Sequence, residues 1–327
     1  MTKRERFAYL KGGYNRMIGA LDIGGTKMAM GVVDANGRVL AKEECPTDGP
    51  LGFDHAMQRV SKLLVRCADQ AGVKLQGIGI GCTGPVDPLT GTLGDINTLP
   101  GWEGGNPVKK LSAEFHVPVA MENDADAVAL GEVAWGSGKS KSRMICVTIG
   151  TGIGAGVVLD GKVYRGAAHS HPELGHHIIE TSGPACTCGA RGCWEALASG
   201  PSMVEWIKTI VPADYPSQNL TGREICARAQ GGDEWARRAV EREGYYLGVG
   251  LANLVTLFVP EAIVLGGSVM KSASMFLDRI HQVIRQNCGL VPYQSVEISL
   301  ASLGPDVGLI GAAEVWRNHF QSSGVSR

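Results

Sequence analysis

The chain has no excess of charge of either sign: 31 basic side chains meet 32 acidic ones, for a net charge of −1 over 327 residues. That balance excludes a whole-surface field drawing it onto nucleic acid or an anionic bilayer. No apolar run approaches the ~20 residues of a membrane-spanning helix. The basic opening MTKRERFAYLKGGYNRM lacks the apolar centre of a signal peptide. Low-complexity segments, an obvious linker and a redox Cys-x-x-Cys pair are missing as well. Nine cysteines are an odd number, and Cys45, Cys67, Cys82, Cys146, Cys226 and Cys288 stand singly. Those six read as small buried hydrophobes in a reducing compartment, so the expected location is the cytoplasm.

What is present suits an ordinary globular protein, 44% hydrophobic and 19% charged, with much of its glycine in short turns. The length favours two domains. Residues 1–16 read as a short polar arm, expected to be flexible. From Ile18 the pattern is three short strands joined by hairpin turns, with Asn36-Gly37 a strong turn signal. A helix is expected near 52–71, strands at 77–82 and 117–124, and a helix over 125–136. The opening pattern then returns. Gly25-Thr26 followed by Gly31-Val32-Val33 matches Gly150-Thr151 followed by Gly156-Val157-Val158, 125 residues later. This points to a duplication, each copy starting with a three-stranded meander. Beyond residue 200, helices are expected at 201–211, 221–230, 233–257, 271–287 and 306–318, with strands at 262–269 and 295–301. Alternating strands and helices make the fold α/β.

Asp22-Ile23-Gly24-Gly25-Thr26-Lys27 closes the first strand. Glycines there let backbone N–H groups approach anionic oxygens, the Thr hydroxyl and Lys ammonium add donors, and the carboxylate suits Mg²⁺. Gly150-Thr151-Gly152-Ile153-Gly154 repeats the device; a strand follows it, so it is no dinucleotide fingerprint. Leu265-Gly266-Gly267-Ser268 is a third close-approach turn, suited to a nucleoside. Gly136-Ser137-Gly138-Lys139-Ser140 imitates the end of a P-loop, but Val133 stands where that motif needs glycine and a helix, not a strand, precedes it. Glu122-Asn123-Asp124 lies where a strand meets a helix; Asp124 there either caps the helix or serves as a base, and the stretch alone does not decide. The densest signal is Cys186-x-Cys188-x₄-Cys193. Three thiolates and one histidine, from among His169, His171, His176 and His177, would complete a tetrahedral Zn²⁺ site. Such a site has no open position, so the metal would be structural, holding the flanking Glu173 and Glu195 rigid.

Together these elements resemble the ROK family of repressors, open reading frames and kinases. The matching stretches are DIGGTK (22–27), CTGPV (82–86), LPGW (99–102), ENDAD (122–126), GTGIGAG (150–156), ELGH (173–176), CTCGARGCWE (186–195) and LGGSV (265–269). The resemblance implies an actin-like ATPase, ribonuclease-H-like duplicated fold with ATP and a hexose in an interlobe cleft. The lobes would be 17–123 plus 306–327, and 124–305 with the zinc-binding loop. It makes Asp124 the general base for the sugar 6-hydroxyl. Gly84, Asn97, Asn123, Glu173, His176 and Glu195 would contact the sugar. ATP phosphates would meet Gly25, Thr26, Lys27, Thr151 and Gly152, with Gly266 and Gly267 by the nucleoside and Asp22 near Mg²⁺. His176, Cys186, Cys188 and Cys193 would hold zinc.

The implied activity is an ATP- and Mg²⁺-dependent hexokinase of glucokinase type. N-acetylmannosamine or N-acetylglucosamine kinase comes next, then fructose or mannose kinase. His171-Pro172 departs from the glucokinase-type pattern and is similar to family fructokinases; Trp194 is a bulky neighbour for Glu195. Family members are commonly homodimers or homotetramers. A sugar-sensing repressor is the distant alternative; its DNA-binding domain would precede the first motif, where only 21 residues stand, so no nucleic-acid or membrane partner is expected.

Overall fold

The computed structural model describes residues 17–217 and 219–321; the arm expected at 1–16 lies outside them. Strands β1 (Ile18–Ile23), β2 (Lys27–Val33), β3 (Val39–Pro46), β4 (Gly77–Cys82) and β7 (Val119–Asn123) form one sheet in the order β3-β2-β1-β4-β7. Its first three strands are an antiparallel meander, and β4 and β7 add parallel to β1. Strands β8 (Met144–Ile149), β9 (Ile153–Leu159), β10 (Lys162–Val163), β11 (Ala262–Gly266) and β12 (Glu297–Leu300) form another, ordered β10-β9-β8-β11-β12. Here β10 and β9 are antiparallel, and β8, β11 and β12 are parallel. The two sheets repeat one plan, which is the duplication that the Gly-Thr and Gly-Val-Val matches announce. A two-residue ladder joins β5 (Val86–Asp87) to β6 (Thr92–Leu93).

By its contacts the chain divides into two compact units. One runs up to Ser140 and includes Gly156–Pro172 and the chain from Ser302 on; the other is Lys141–Ala155 with Glu173–Ala301. The sequence reading draws the boundary at 123/124, yet helix α3 (Asp124–Trp135) goes with the first unit. It does so because it packs on α9 (Val307–Gln321), which also covers β1 and β4. The expectation that the last helix returns to the first sheet is met by that packing.

The packing follows from side-chain alternation along the strands. In β1, Leu21 and Ile23 join the core under α1 (Phe53–Ala71), with Met57, Val60 and Leu64. Ile18 and Ala20 face the other way, onto Leu309, Ala312 and Trp316 of α9. In β4 the sequence GIGIGC puts its isoleucines in the α1 core and leaves a bare face for α9. A Cβ on Gly79 would stand 1.8 Å from the Ala312 carbonyl oxygen, so only glycine admits that helix. Gly131 of α3 and Gly311 of α9 meet in the same way.

Helix α2 (Pro107–Phe115) has no counterpart in the sequence reading, though its start is written plainly. Asn106 caps it, its side chain accepting from the Lys109 N–H at 2.7 Å, and Pro107 opens it. The second unit carries α4 (Trp194–Ala198), α5 (Gly200–Ile210), α6 (Gly222–Gln230) and α7 (Glu234–Phe258). The helix expected over 271–287 is in fact 3₁₀ turns at Val269–Met275 followed by α8 (Leu277–Asn287). Buried in α7, Glu243 has no hydrogen-bond partner on either carboxylate oxygen among the described residues, and burial pushes its pKa well up. Of the six singly placed cysteines, five are buried and Cys45 is half-buried.

Candidate functional site

In the first unit the candidate side chains gather where β1, β4 and β7 end. The alternation that turns Ile18 and Ala20 toward α9 also sends Asp22 there: a Cβ on Gly308 would meet its carboxylate oxygen at 2.2 Å. Glycine at the second position of α9 thus makes room for Asp22 beside a helix N-terminus, which favours an anion. Burial, and then the Asp124 carboxylate, nonetheless push the Asp22 pKa up to about 6, while Lys27 pulls it down. The same two carboxylates, together with burial, push the Cys82 thiol well up. Asp22 and Asp124 are therefore a carboxylate pair whose mutual repulsion a cation would relieve.

Asp124 is the first residue of α3, and its Oδ1 accepts from the Ala125 N–H at 2.8 Å. Asn123 provides the cap proper, its Oδ1 accepting from the same N–H at 2.8 Å. Capping is thus shared, and the second oxygen of Asp124 is not used for it. A Cβ on Gly84 would lie 3.0 Å from the Asn123 amide nitrogen, so CTGPV and ENDAD converge. Asn97 is exposed in the turn before Leu99.

The first hairpin is braced from outside its own motif. Thr47 Oγ1 donates to the Gly24 carbonyl at 2.6 Å, and the Thr47 N–H donates to the Thr26 carbonyl at 2.9 Å. A Cβ on Gly25 would strike the Thr98 side chain at 2.5 Å. Lys27 points along the sheet to Glu44, Nζ to Oε1 2.9 Å, and is more than half exposed. Neither threonine carries a motif signal; only its place beside a known motif could have marked it.

A charged cluster that the sequence did not suggest lies behind Asp124. Arg165 pairs with Glu122 and, at 3.5 Å, with Asp126, which His171 Nδ1 also meets at 2.9 Å. Burial raises the Glu122 pKa to about 7 against the pull of Arg165. His171 is thereby occupied in the first unit.

In the second unit the Gly-Thr hairpin has a different neighbour. Glu195 Oε2 accepts from the Ile153 N–H at 2.8 Å, and a Cβ on Gly152 would meet that oxygen at 2.3 Å. A Cβ on Gly175 would collide with the Ile153 carbonyl at 1.9 Å, so the ELGH turn packs against the start of β9. Glu173 opens that turn and is exposed, and Thr151 is exposed at the hairpin tip. The LGGS turn closes on the same place. Gly267 has a φ of 93°, and a Cβ there would stand 2.3 Å from the Ile149 carbonyl. Gly266 ends β11 just before it.

Of the four histidines left open by spacing, His176 joins the thiols. Its ring nitrogen and the sulfurs of Cys186, Cys188 and Cys193 all lie within 4.8 Å of one another. Cys186 Sγ is 3.5 Å from His176 Nδ1, and Cys188 Sγ is 3.6 Å from Cys193 Sγ. Ligand bonds of ~2.3 Å to sulfur and ~2.0 Å to nitrogen give tetrahedral edges of about these lengths. The donor set fits zinc. His177 instead meets the Leu174 carbonyl through Nδ1 at 2.5 Å and lies edge-on to Trp194. Trp194 turns out to be a core residue. It is fully buried, donates to the Tyr246 carbonyl at 3.0 Å and fills the notch left by Gly250.

The P-loop imitation at 136–140 is filled by protein. Glu132, buried, accepts from the Ser137 N–H at 2.8 Å and, through its other oxygen, from the Ser302 and Leu303 N–H groups at 3.2 Å. A carboxylate already holds donors that a phosphate would need.

Residues 18–319 match the ROK family. The chain belongs to that family. A glucokinase of Streptomyces coelicolor is 31% identical over 310 residues, 91% of this chain and 96% of that one. The solved structure of a ROK family glucokinase from Streptomyces griseus, in complex with glucose and AMPPNP, is 31% identical, with a TM-score of 0.77 over 91% of this chain and 98% of that one. The xylose repressor of Bacillus subtilis is 32% identical over 246 residues, 75% of this chain but 62% of its own length. The fold of this ROK protein is the actin-like ATPase, ribonuclease-H-like duplication.

Proposed function

We propose that this ROK protein is an ATP-dependent hexose kinase acting on the 6-hydroxyl, with glucose as the first candidate. The observation that carries the reading is the Asp22–Asp124 pair beside a braced Gly-Thr hairpin, in a chain 31% identical to a glucokinase over 91% of its length. Asp124 takes the proton as the sugar oxygen attacks the γ-phosphorus, and the bond to the bridging oxygen breaks to release ADP. Gly25, Thr26, Lys27, Thr151 and Gly152 contact the phosphates, and Gly266 and Gly267 the nucleoside. Backbone donors in such hairpins stabilise charge on the transferring group, so catalysis is positioning plus electrostatics. Asp22 would hold Mg²⁺ directly or through water, and the ion would supply charge neutralisation at the phosphates.

Asn97, Asn123, Glu173, His176 and Glu195, with Gly84 through its backbone, read the sugar. Charged hydrogen bonds of this kind reject sugars that lack the matching hydroxyl. His176, Cys186, Cys188 and Cys193 would hold a structural zinc that fixes the loop bearing Glu173 and Glu195. All nine cysteines are free thiols, which supports a reducing compartment and hence the cytoplasm. The expected assembly is a homodimer or homotetramer.

A coupled ATP-consumption assay across glucose, mannose, fructose, N-acetylglucosamine and N-acetylmannosamine tests the reading. Turnover is expected for at least one, glucose foremost. Turnover confined to an N-acetylated sugar would move the assignment to that kinase, and no turnover of any would sink it. The repressor relative is the reason for a second reading, a sugar-responsive DNA-binding protein. Salt-sensitive binding to an operator duplex would favour it.

A further inference from the structure

Surface loops normally turn their charged side chains to water. The stretch after β10 does the reverse. Arg165 and His171 are tucked in, with 18% and 11% of their side chains exposed, while residues 166–170 between them all face solvent. Both tucked side chains go to one carboxylate. Asp126, fully buried in the first turn of α3, meets His171 Nδ1 at 2.9 Å and an Arg165 nitrogen at 3.5 Å, both through Oδ2. Facing a carboxylate, the His171 ring donates from Nδ1. Arg165 also pairs with Glu122 near the end of β7. A single oxygen thus closes the neck of the loop, and the buried charges compensate one another, as burial demands.

The loop closed in this way is not relaxed. Ala168 has a φ of 52° and a ψ of 29°, and His169 next to it has a φ of 60°. Two successive left-handed residues that are not glycine cost free energy at each position. Inside the loop the Gly166 N–H donates to the Ser170 carbonyl at 2.9 Å, and the Ser170 N–H donates to the Ala167 carbonyl at 3.1 Å. Strain of this kind persists where the surroundings over-determine the backbone, and it gathers at ligand sites. Here the neck supplies the constraint. The tip reaches toward the chain that follows CTGPV. Asp87 of β5 is held below the ordinary carboxylate range first by the Thr90 hydroxyl and the Leu89 N–H, and His169 acts in the same direction.

Beyond the neck the chain passes almost directly to Glu173. Only Pro172 stands between. Its ring fixes its own φ at about −65° and keeps His171 out of the helical region. Few rotations therefore separate the anchored His171 from the turn that opens at Glu173.

We propose that loop 165–171, pinched at its neck by Asp126, is a positioning element for sugar recognition. His171 and Arg165 are positioning residues: they fix the start of the Glu173 turn and hold the strained tip, without touching the hexose themselves. The proposal rests on the hexose-kinase reading for its substrate class, and its readout is binding, not turnover.

The test is calorimetric titration of the full-length protein with glucose, mannose, fructose, N-acetylglucosamine and N-acetylmannosamine, and separately with AMPPNP. His171→Ala leaves Arg165 to pair with Asp126, so the variant should fold. It should raise the dissociation constant of the best-bound sugar by about tenfold or more and leave that of AMPPNP within about twofold. An asparagine amide can donate from nearly the place of Nδ1, so His171→Asn should recover most of the sugar affinity. Hydrogen exchange at 166–171 should quicken in His171→Ala and return toward wild type in His171→Asn. A cluster that merely adds stability would lower Tm in His171→Ala with the sugar constant unchanged, and that result overturns the proposal. So does equal weakening of sugar and AMPPNP, an asparagine variant no better than alanine, or a wild type that binds none of the five sugars. The kinase reading fails separately, through a wild type that binds a sugar and does not phosphorylate it.

Discussion

The two Gly-Thr hairpins occupy the same place in two sheets of the same order, yet their surroundings are opposite in kind. The first, at Gly25-Thr26, is held by neutral hydroxyls, Thr47 and Thr98, and looks onto the acidic pair Asp22 and Asp124. The second, at Thr151-Gly152, is held by a carboxylate, Glu195, which a metal-type loop delivers. A duplicated backbone has kept its Gly-Thr turn twice, while an acidic pair collected beside one copy and a single carboxylate, from the chain just after the Cys/His cluster, braces the other.

The comparison breaks first at Asp124. Asp124→Asn should cut kcat by on the order of a thousandfold or more with sugar KM changed only a few-fold. Retained turnover would remove Asp124 from the role of base. The second hairpin should fail differently. Cys186→Ser, or zinc removal by a chelator, should lower Tm and weaken sugar binding together, because apparent metal-binding energies of roughly 10 kcal/mol stand behind such loops. Thermal melts and sugar titrations on the same sample check this, and either measure unchanged would make the loop dispensable.

Smaller and sharper is the pair Gly25→Ala and Gly152→Ala. The added methyl meets Thr98 in one and the Glu195 carboxylate in the other. Gly152→Ala should raise sugar KM by about tenfold or more as the charged Glu195 hydrogen bond is displaced, and ATP KM with it because Gly152 is assigned to the phosphates; Gly25→Ala should act on ATP KM alone. An equal rise in sugar KM in the two variants would erase the contrast. Next comes pH. Asp22 has its pKa raised to about 6, so the native state holds its proton more tightly than the unfolded chain. Stability from this group is present at low pH and is lost as pH rises toward 6, and Mg²⁺ affinity should grow over the same interval. Asp22→Asn should abolish both slopes, read by melts and by metal titration. The smallest effect is expected far from either hairpin. Glu243 is buried without a hydrogen-bond partner among the described residues, and burial holds its pKa well above the ordinary carboxylate range, so Glu243→Gln should be nearly silent at acidic pH and become relatively stabilising as pH rises.

How much of this was legible depended on whether the signal was local. The hairpins could be read because glycine, threonine and the following valines are fixed by the turn and the strand itself. The three cysteines could be read from spacing, but their fourth partner could not. Four histidines lie near, and only packing shows that His171 is taken by Asp126 and His177 by Leu174. Glu195 was singled out as a side chain beside the metal loop; its bond to Ile153 N–H joins residues 42 apart in sequence, beyond any periodicity. Trp194 shows the reverse error of emphasis. It drew notice for its size next to Glu195, and Gly250 in a distant helix explains it. Lys27 reads as a phosphate ligand by type and neighbourhood, whereas its partner in the structure, Glu44, is set by the register of two strands.

The bare glycine face of β4 also has a consequence for how the chain is made. Gly77 and Gly79 emerge early from the ribosome, but Ala312 and Trp316, which cover them, are synthesised more than two hundred residues later. At ~5–20 residues per second the first sheet waits some tens of seconds with one side unclosed. During that interval Ile18, Ala20 and Val33, all fully buried in the finished protein, have no partner helix. Until the last helix is released, that face of the first sheet presents apolar surface to water.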